Sequence, residues 1–168
     1  MTVEFKAYYQ SEIGLIEIVS TDEAIKALNF IDDKAEIELI DKSYEPKILK
    51  ICREQLEEYF KGHRTDFSLK LDPDGTSFQK SVWQQLLNIP YGQTASYLDI
   101  ARLVGNTKAV RAIGAANGQN RISIIIPCHR VIGSNGKLTG YGGGLWRKAW
   151  LLEHEGVLNT QLALFDPK

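Results

Sequence analysis

Apolar and polar residues alternate in short runs from Phe5 to Ile31. Y-Y-Q-S-E-I-G-L-I-E-I-V-S holds a Ser-Glu turn and a glycine between β-branched stretches, and A-L-N-F-I follows T-D-E, which predicts strands. From Pro46 to Gly62 the period lengthens to that of a helix. Ile48, Cys52, Leu56 and Tyr59 form one stripe with Leu49 and Phe60 beside it, and Pro and Gly punctuate the two ends. L-D-P-D-G-T at 71–76 marks a turn and a domain boundary. A helix follows with Phe78, Val82, Trp83, Leu86 and Leu87 as its apolar face, and I-P-Y-G-Q-T ends it. A second helix is expected from near Ser96, a third over K-A-V-R-A-I-G-A-A-N-G, and a last over L-W-R-K-A-W-L-L-E-H-E. The isoleucine run before Pro127 reads as a strand, and Y-G-G-G at 141–144 as a glycine-rich loop. The fold class expected is α/β (α+β): a small N-terminal sheet with a flanking helix, then a mainly helical part.

Ser96 to Gly118 has the outline of a helix-turn-helix with Gly105 in its turn. Its second helix is small-sided (Ala109, Ala112, Gly114, Ala115, Ala116), which permits close approach to another backbone, either DNA or a neighbouring helix. Arg111 is its one long cation, and by itself reads as a solvated surface charge.

The segment I-I-I-P-C-H-R-V-I-G at 124–133 poses a sharper question. Either a core strand ends in an inert thiol, or the strand delivers a reactive Cys128 to the floor of a pocket. A thiol attacks as its thiolate, and at an ordinary pKa near 8.5 only a small fraction is ionised at neutral pH. His129 is available as a base, and Glu155 in E-H-E as the group that orients it; His154 competes for that place but reads more simply as a surface residue. Cys52, on the helical stripe, reads as core.

Composition narrows the classes. With 168 residues, 43% apolar and 24% charged, the chain fits one domain or a small one joined to a medium one. No apolar run reaches the roughly 20 residues of a membrane span, and MTVEFKAYYQ lacks the features of a signal peptide, so a cytoplasmic location is expected. Two distant cysteines argue against a disulfide framework or a cysteine-rich zinc site, His63 reads as a surface residue, and no metal is assigned. The net charge of -1 conceals an asymmetry. Residues 1–75 hold ten Lys/Arg against seventeen Asp/Glu (−7), and residues 76–168 hold ten against four (+6), so the second part suits a polyanion.

G-T-S-F-Q-K-S-V-W, I-P-Y-G-Q-T-A-S-Y, G-A-A-N-G-Q-N, I-I-I-P-C-H-R-V-I-G and G-Y-G-G-G-L-W-R-K together carry a specific resemblance. Over residues 55 to 157 the chain resembles the O6-alkylguanine–DNA alkyltransferases, or methylated-DNA–protein-cysteine methyltransferases, in their stand-alone bacterial form. Residues 1–54 match only in general style. The resemblance implies a ribonuclease-H-like support domain over 1–75, a DNA-binding alkyl-acceptor domain over 76–158 and a tail over 159–168. It implies that Cys128 accepts the alkyl group of O6-alkylguanine, and of O4-alkylthymine as well, once per molecule and without a cofactor. His129 would be the base through a bridging water, Glu155 its anchor, and Asn120 a brace across the turn. Tyr97 would donate a proton to the departing guanine, and Lys148 would favour anionic character nearby. Tyr141 would wall the base pocket, while backbone groups of Cys128, Val131 and Gly142 read the guanine edges. Since O6 lies inside the duplex, the base must leave the stack. Arg111 would take its place, with Ala109, Ala112, Gly114 and Ala115 fitting a narrow minor groove. Double-stranded DNA is the expected partner, and a monomer the expected state.

Three positions depart from the family pattern. Arg121 stands where proline is common, and would loosen the turn or contact a phosphate. Gly142 replaces a serine found in some relatives. Trp146 is bulkier than the usual alanine and would either narrow the pocket or pack under the last helix, the second being expected. Cys128 itself argues against the branch of the family that carries tryptophan at that position. In the tail, Gln161, Leu162, Leu164 and Phe165 resemble the pentapeptide by which bacterial proteins dock on the DNA sliding clamp, the alternative being a tail folded over the body. Two other classes remain open: a Cys-His hydrolase or acyltransferase, which would turn over, and a helix-turn-helix regulator that survives loss of Cys128.

Overall fold

The computed structural model describes residues 2–32 and 43–157. The chain divides into two compact units, one reaching Asp74 and including Arg121–Ser123, the other formed by Gly75–Asn120 and the chain from Ile124 onward.

The first unit is a three-stranded antiparallel sheet in the order β1 (Phe5–Ser11), β2 (Gly14–Ser20), β3 (Ile25–Ile31). Gly14, at φ 127°, makes the tight β1–β2 connection that a side chain would strain. Alternation holds on β2, where Ile16, Ile18 and Ser20 are buried. Helix α1 (Lys47–Phe60) packs on β1 and β2 through Leu49, Cys52, Leu56, Tyr59 and Phe60. Its buried stripe is centred on Leu49 rather than Ile48, which is only half-buried. Gln55 is also inside, its amide donating to Ser68 Oγ at 3.0 Å and its carbonyl accepting from the Ser68 N–H at 3.1 Å.

Residues 121–123 extend this sheet. Leu28 donates to the Arg121 carbonyl at 2.9 Å and accepts from the Ser123 N–H at 2.8 Å, so Ile122 forms a parallel bridge with Leu28. Arg121 neither loosens the chain nor stands free. Its Nε donates to the Asp74 carbonyl at 2.8 Å, inside the same unit.

The second unit is mainly helical: α2 (Ser77–Leu86), α3 (Tyr97–Leu103), α4 (Val110–Gly118) and α5 (Leu145–His154), with a two-residue parallel pair β4 (Ala95–Ser96) and β5 (Val131–Ile132). Capping boxes, Thr76 with Gln79 and Ser96 with Asp99, set the starts of α2 and α3. Val82, Trp83 and Leu86 are buried on α2, whereas Phe78 and Leu87 are 39% and 40% exposed; the apolar face is therefore narrower than the sequence suggests. Trp83 donates its indole N–H to the Ala116 carbonyl at 2.8 Å, tying α2 to α4. A Cβ on Gly75 would lie 2.7 Å from the Trp83 ring, so only glycine fits there.

The expected isoleucine strand does not form. After Ile122 the chain turns, and Ile124 takes φ 71°. For a β-branched residue that conformation costs on the order of 1–3 kcal/mol and persists only where its surroundings enforce it. Here Ile122, Ile124, Ile125 and Ile126 are all buried. Burial of the whole run, not ladder pairing, is what the apolar letters encode.

Candidate active site

Pro127 ends the buried turn and Cys128–Arg130 form one turn of 3-10 helix before β5. The turn is tied at several points. The Cys128 N–H donates to the Ile126 carbonyl at 2.7 Å, and Asn120 Nδ2 donates to that same carbonyl at 2.8 Å. The Cys128 carbonyl accepts from the Val131 N–H and, at 3.4 Å, from Asn117 Nδ2. Cys128 is 6% exposed. Burial pushes its thiol pKa up, and hydrogen bonding from Asn120 and the charge of Lys148 only partly oppose this. The free protein therefore stores a protonated thiol.

His129 is fully buried, its Nε2 2.7 Å from Glu155 Oε2. Burial lowers the imidazole pKa, Glu155 opposes that shift, and Arg130 and Lys148 reinforce it, so the ring is neutral. An ionised Glu155 then fixes the hydrogen on Nε2 and leaves Nδ1 as the basic nitrogen. Among the described residues Nδ1 has no hydrogen-bond partner. Glu155 is buried, which alone would raise its pKa; the His129 bond and the Arg130 guanidinium outweigh this and hold it well below the usual carboxylate range.

Arg130, inside the segment that raised the question, is the residue whose role sequence reasoning missed. Its Nε and Nη2 donate to both Glu155 oxygens at 2.7 and 3.1 Å, and its Nη1 donates to the Ile89 carbonyl at 2.7 Å. This fork is the bidentate geometry of a strong charge-assisted pair. The available signal was a cation set between the candidate base His129 and the apolar Val131-Ile132. Asn117 was also passed over, although it lies within the quoted G-A-A-N-G-Q-N. His154 stacks on Trp150 with centroids 4.8 Å apart, and it is Glu155 that reaches His129.

A second polar group borders the cysteine. Lys148 is fully buried, and its Nζ donates to the Thr139 and Gly140 carbonyls at 2.7 and 3.3 Å and lies 5.9 Å from the Tyr97 ring centroid. Burial lowers its pKa to about 8, against the pull of Cys128. Tyr97 is half-buried and its pKa is raised, chiefly by burial. Val131 is buried immediately beyond the turn, and Tyr141 is half-buried. Gly142 is exposed, and a Cβ there would meet nothing within 4 Å. Trp146 does not pack under α5: it is 37% exposed, with the Arg147 guanidinium 4.7 Å above its ring, because the buried face of α5 is taken by Arg147, Lys148, Leu151 and Leu152.

Arg111, Ala112 and Ala115 share the exposed face of α4, with Ala109 and Gly114 half-exposed beside them and Ile113, Ala116 and Asn117 turned inward. The helix thus presents one cation on an otherwise low surface. Gln161, Leu162, Leu164 and Phe165 lie outside the described residues. Among the described residues no group of three or more His, Cys, Asp or Glu side chains could hold a metal, and no helix is long and apolar enough to cross a membrane.

A buried thiol adjacent in the chain to a neutral histidine with an anchored carboxylate, in the unit that also carries a helix-turn-helix with a small-sided exposed face, defines a cysteine-based protein that acts on nucleic acid. Two family models match the chain: the 6-O-methylguanine DNA methyltransferase DNA binding domain over residues 77–157 and the ribonuclease-like domain of the same proteins over residues 5–73. The chain belongs to the 6-O-methylguanine DNA methyltransferase family. It is 49% identical over 153 residues to the methylated-DNA–protein-cysteine methyltransferase of Methanosarcina acetivorans, covering 90% of this chain and 98% of that one. The Mycolicibacterium paratuberculosis protein of the same name is 45% identical over 157 residues, covering 93% and 95%. The structure of Mycobacterium tuberculosis O6-methylguanine methyltransferase matches with a TM-score of 0.78 at 41% identity, over 98% of this chain and 100% of that one. The same mycobacterial protein in complex with DNA matches with a TM-score of 0.79 at 42% identity, over 95% and 98%.

Proposed function

We propose that this protein repairs alkylated DNA directly, moving the alkyl group of O6-alkylguanine, and of O4-alkylthymine, from a flipped base onto Cys128. The observation that carries this is the His129–Glu155–Arg130 network beside a buried thiol, with His129 Nδ1 unpartnered and neutral. Nδ1 takes the Cys128 proton through a water, and the imidazolium so formed is stabilised by ionised Glu155. The thiolate attacks the alkyl carbon in line while the carbon–oxygen bond breaks. Tyr97 protonates the guanine as it leaves, and Lys148 favours the transient negative charge. The product is a thioether that no group in the site can reverse, so each molecule acts once.

Double-stranded DNA is the partner this reading requires. Support comes from the exposed small-sided face of α4, the +6 charge of residues 76–168 and the mycobacterial relative in complex with DNA. Arg111 fills the gap left by the flipped base, at a flipping cost of a few kcal/mol. Backbone groups at Cys128, Val131 and Gly142 read the guanine, with Tyr141 as a pocket wall. The protein works as a monomer in the cytoplasm.

Intact and peptide mass spectrometry after mixing with an O6-methylguanine oligonucleotide tests this. One methyl per protein on the Cys128 peptide, absent in Cys128→Ala, is the expected result. Bound DNA with no mass change would favour a binder without chemistry, and repeated turnover a hydrolase or transferase of another kind.

The tail sequence supports a further partner, the bacterial sliding clamp, through Gln161, Leu162, Leu164 and Phe165. A peptide of residues 158–168 should bind a bacterial clamp and lose binding on Leu164→Ala with Phe165→Ala; no binding by the parent peptide would exclude it.

A further inference from the structure

Thr139 meets the Tyr97 phenol twice. The Tyr97 hydroxyl donates to the Thr139 carbonyl at 3.2 Å, which commits its only hydrogen. The 3.0 Å contact between the two hydroxyls is therefore donated by Thr139 Oγ1 to the phenolic oxygen. The Thr139 carbonyl also accepts from Lys148 Nζ at 2.7 Å, so one residue joins two groups of the reaction. The loop ahead of it is fixed by its own turn: Gly133 donates to the Lys137 carbonyl at 2.9 Å, and Asn135 Oδ1 accepts from the Lys137 N–H at 3.1 Å.

The two Tyr97 bonds respond differently to catalysis. The bond to the carbonyl uses the hydrogen that Tyr97 gives to guanine, so it must break. The bond from Oγ1 uses a lone pair of the phenolic oxygen. It survives proton transfer and strengthens as the oxygen becomes anionic.

We propose that Thr139 is a positioning residue for alkyl transfer: its hydroxyl holds the Tyr97 oxygen in place and stabilises the phenolate left when Tyr97 protonates the departing guanine. This rests on the reading of Tyr97 as proton donor given above. As the bond from Cys128 Sγ to the alkyl carbon forms, the bond from that carbon to O6 breaks and its electron pair stays with guanine. The Tyr97 O–H bond then breaks, its proton passes to the purine, and its electron pair remains on the phenolate that Thr139 faces. In the free protein the Thr139 hydroxyl already pulls the Tyr97 pKa down against the larger upward effect of burial.

The test is single-turnover methyl transfer from duplex O6-methylguanine by wild type, Thr139→Val and Thr139→Ser, each also in a Tyr97→Phe background. Thr139→Val keeps the shape and removes the donor, and should slow transfer about tenfold, the worth of one hydrogen bond to a charged oxygen. Its affinity for the oligonucleotide should match wild type, and Thr139→Ser should restore the rate. In the Tyr97→Phe background Thr139→Val should cost nothing further, because the oxygen it serves is gone. Wild-type rates in Thr139→Val, or the same loss with and without the Tyr97 hydroxyl, would overturn the proposal. A wild-type protein that leaves Cys128 unmethylated would defeat the functional reading itself, and the Thr139 role with it.

Discussion

Glu155 is the residue on which two separate properties converge. It holds the His129 ring, the base of the proposed reaction, and it neutralises Arg130 in a site with no exposed side-chain surface on the carboxylate. Removing one member of such a pair leaves an uncompensated buried charge, so Glu155→Gln should lose about 3 kcal/mol of stability by denaturant titration and about a hundredfold in transfer rate. The carboxyl pKa is depressed in the folded state. Below the ordinary carboxylate value of 4.5 the unfolded chain therefore binds a proton that the folded one does not. Stability from this group is present above that value and is lost as pH falls below it. Melts taken from pH 6 downward should fall more steeply for wild type than for Glu155→Gln. His129 acts on rate in the same direction. Its pKa lies below 6.5, so transfer should hold at neutral pH and decline only on the acid side of that value. The pairing of His129 with Glu155 was legible in the sequence because a base beside Cys128 needs an orienting acid. Arg130 and Thr139 were not, since their contributions come from where the fold points a guanidinium and a hydroxyl.

Among the elements, the helices declared themselves through apolar stripes and punctuation, such as Pro46 ahead of α1, and the structure adds the capping boxes at Thr76 and Ser96. The isoleucine run did not, because period and composition cannot separate a buried strand from a buried irregular segment. Trp146 misled for a related reason. Size suggests the interior, but on α5 the inward positions go to Arg147 and Lys148, whose polar ends find carbonyls of the 139–143 loop. Helix α4 gives the clearest prediction at this scale. Ala115→Leu adds bulk to its exposed face, and should weaken duplex binding without shifting the melting temperature by more than a degree or so, as for surface changes generally. Arg111→Ala should slow transfer from duplex DNA more than from a single-stranded oligonucleotide, in which no stacked gap needs filling. Equal slowing on both substrates would assign Arg111 to phosphate contact instead.

Across the whole molecule, alkylation of Cys128 should lower stability through the Cys128 turn. The turn is tied by Asn120 and approached by Asn117, and its cysteine is almost fully enclosed. A methyl added to so tight a turn overpacks it, typically at a cost of about 1–3 kcal/mol. Calorimetry before and after stoichiometric methylation should record a lower melting temperature for the product. An unchanged melting temperature would mean that the turn opens to make room at no cost. Cys52, sunk in α1 with its thiol pKa pushed up to about 12, should stay unmodified in the same experiment.

The pairing of Leu28 with residues 121–123 also constrains the order in which the chain can be finished at the ribosome. The N-terminal sheet comes out first, yet Asn29 bonds the Arg121 carbonyl 92 residues further along. Domains usually complete themselves as they emerge. On the outer edge of β3, Ile25 is paired early with residues 70 and 72, but the Leu28 backbone groups have to wait, meeting water or a chaperone, until about half of the second unit has been synthesised. Nascent chains stalled short of residue 121 should therefore hold a sheet whose outer edge is still open at Leu28, and the last stitch of the first unit is made by the second half of the message.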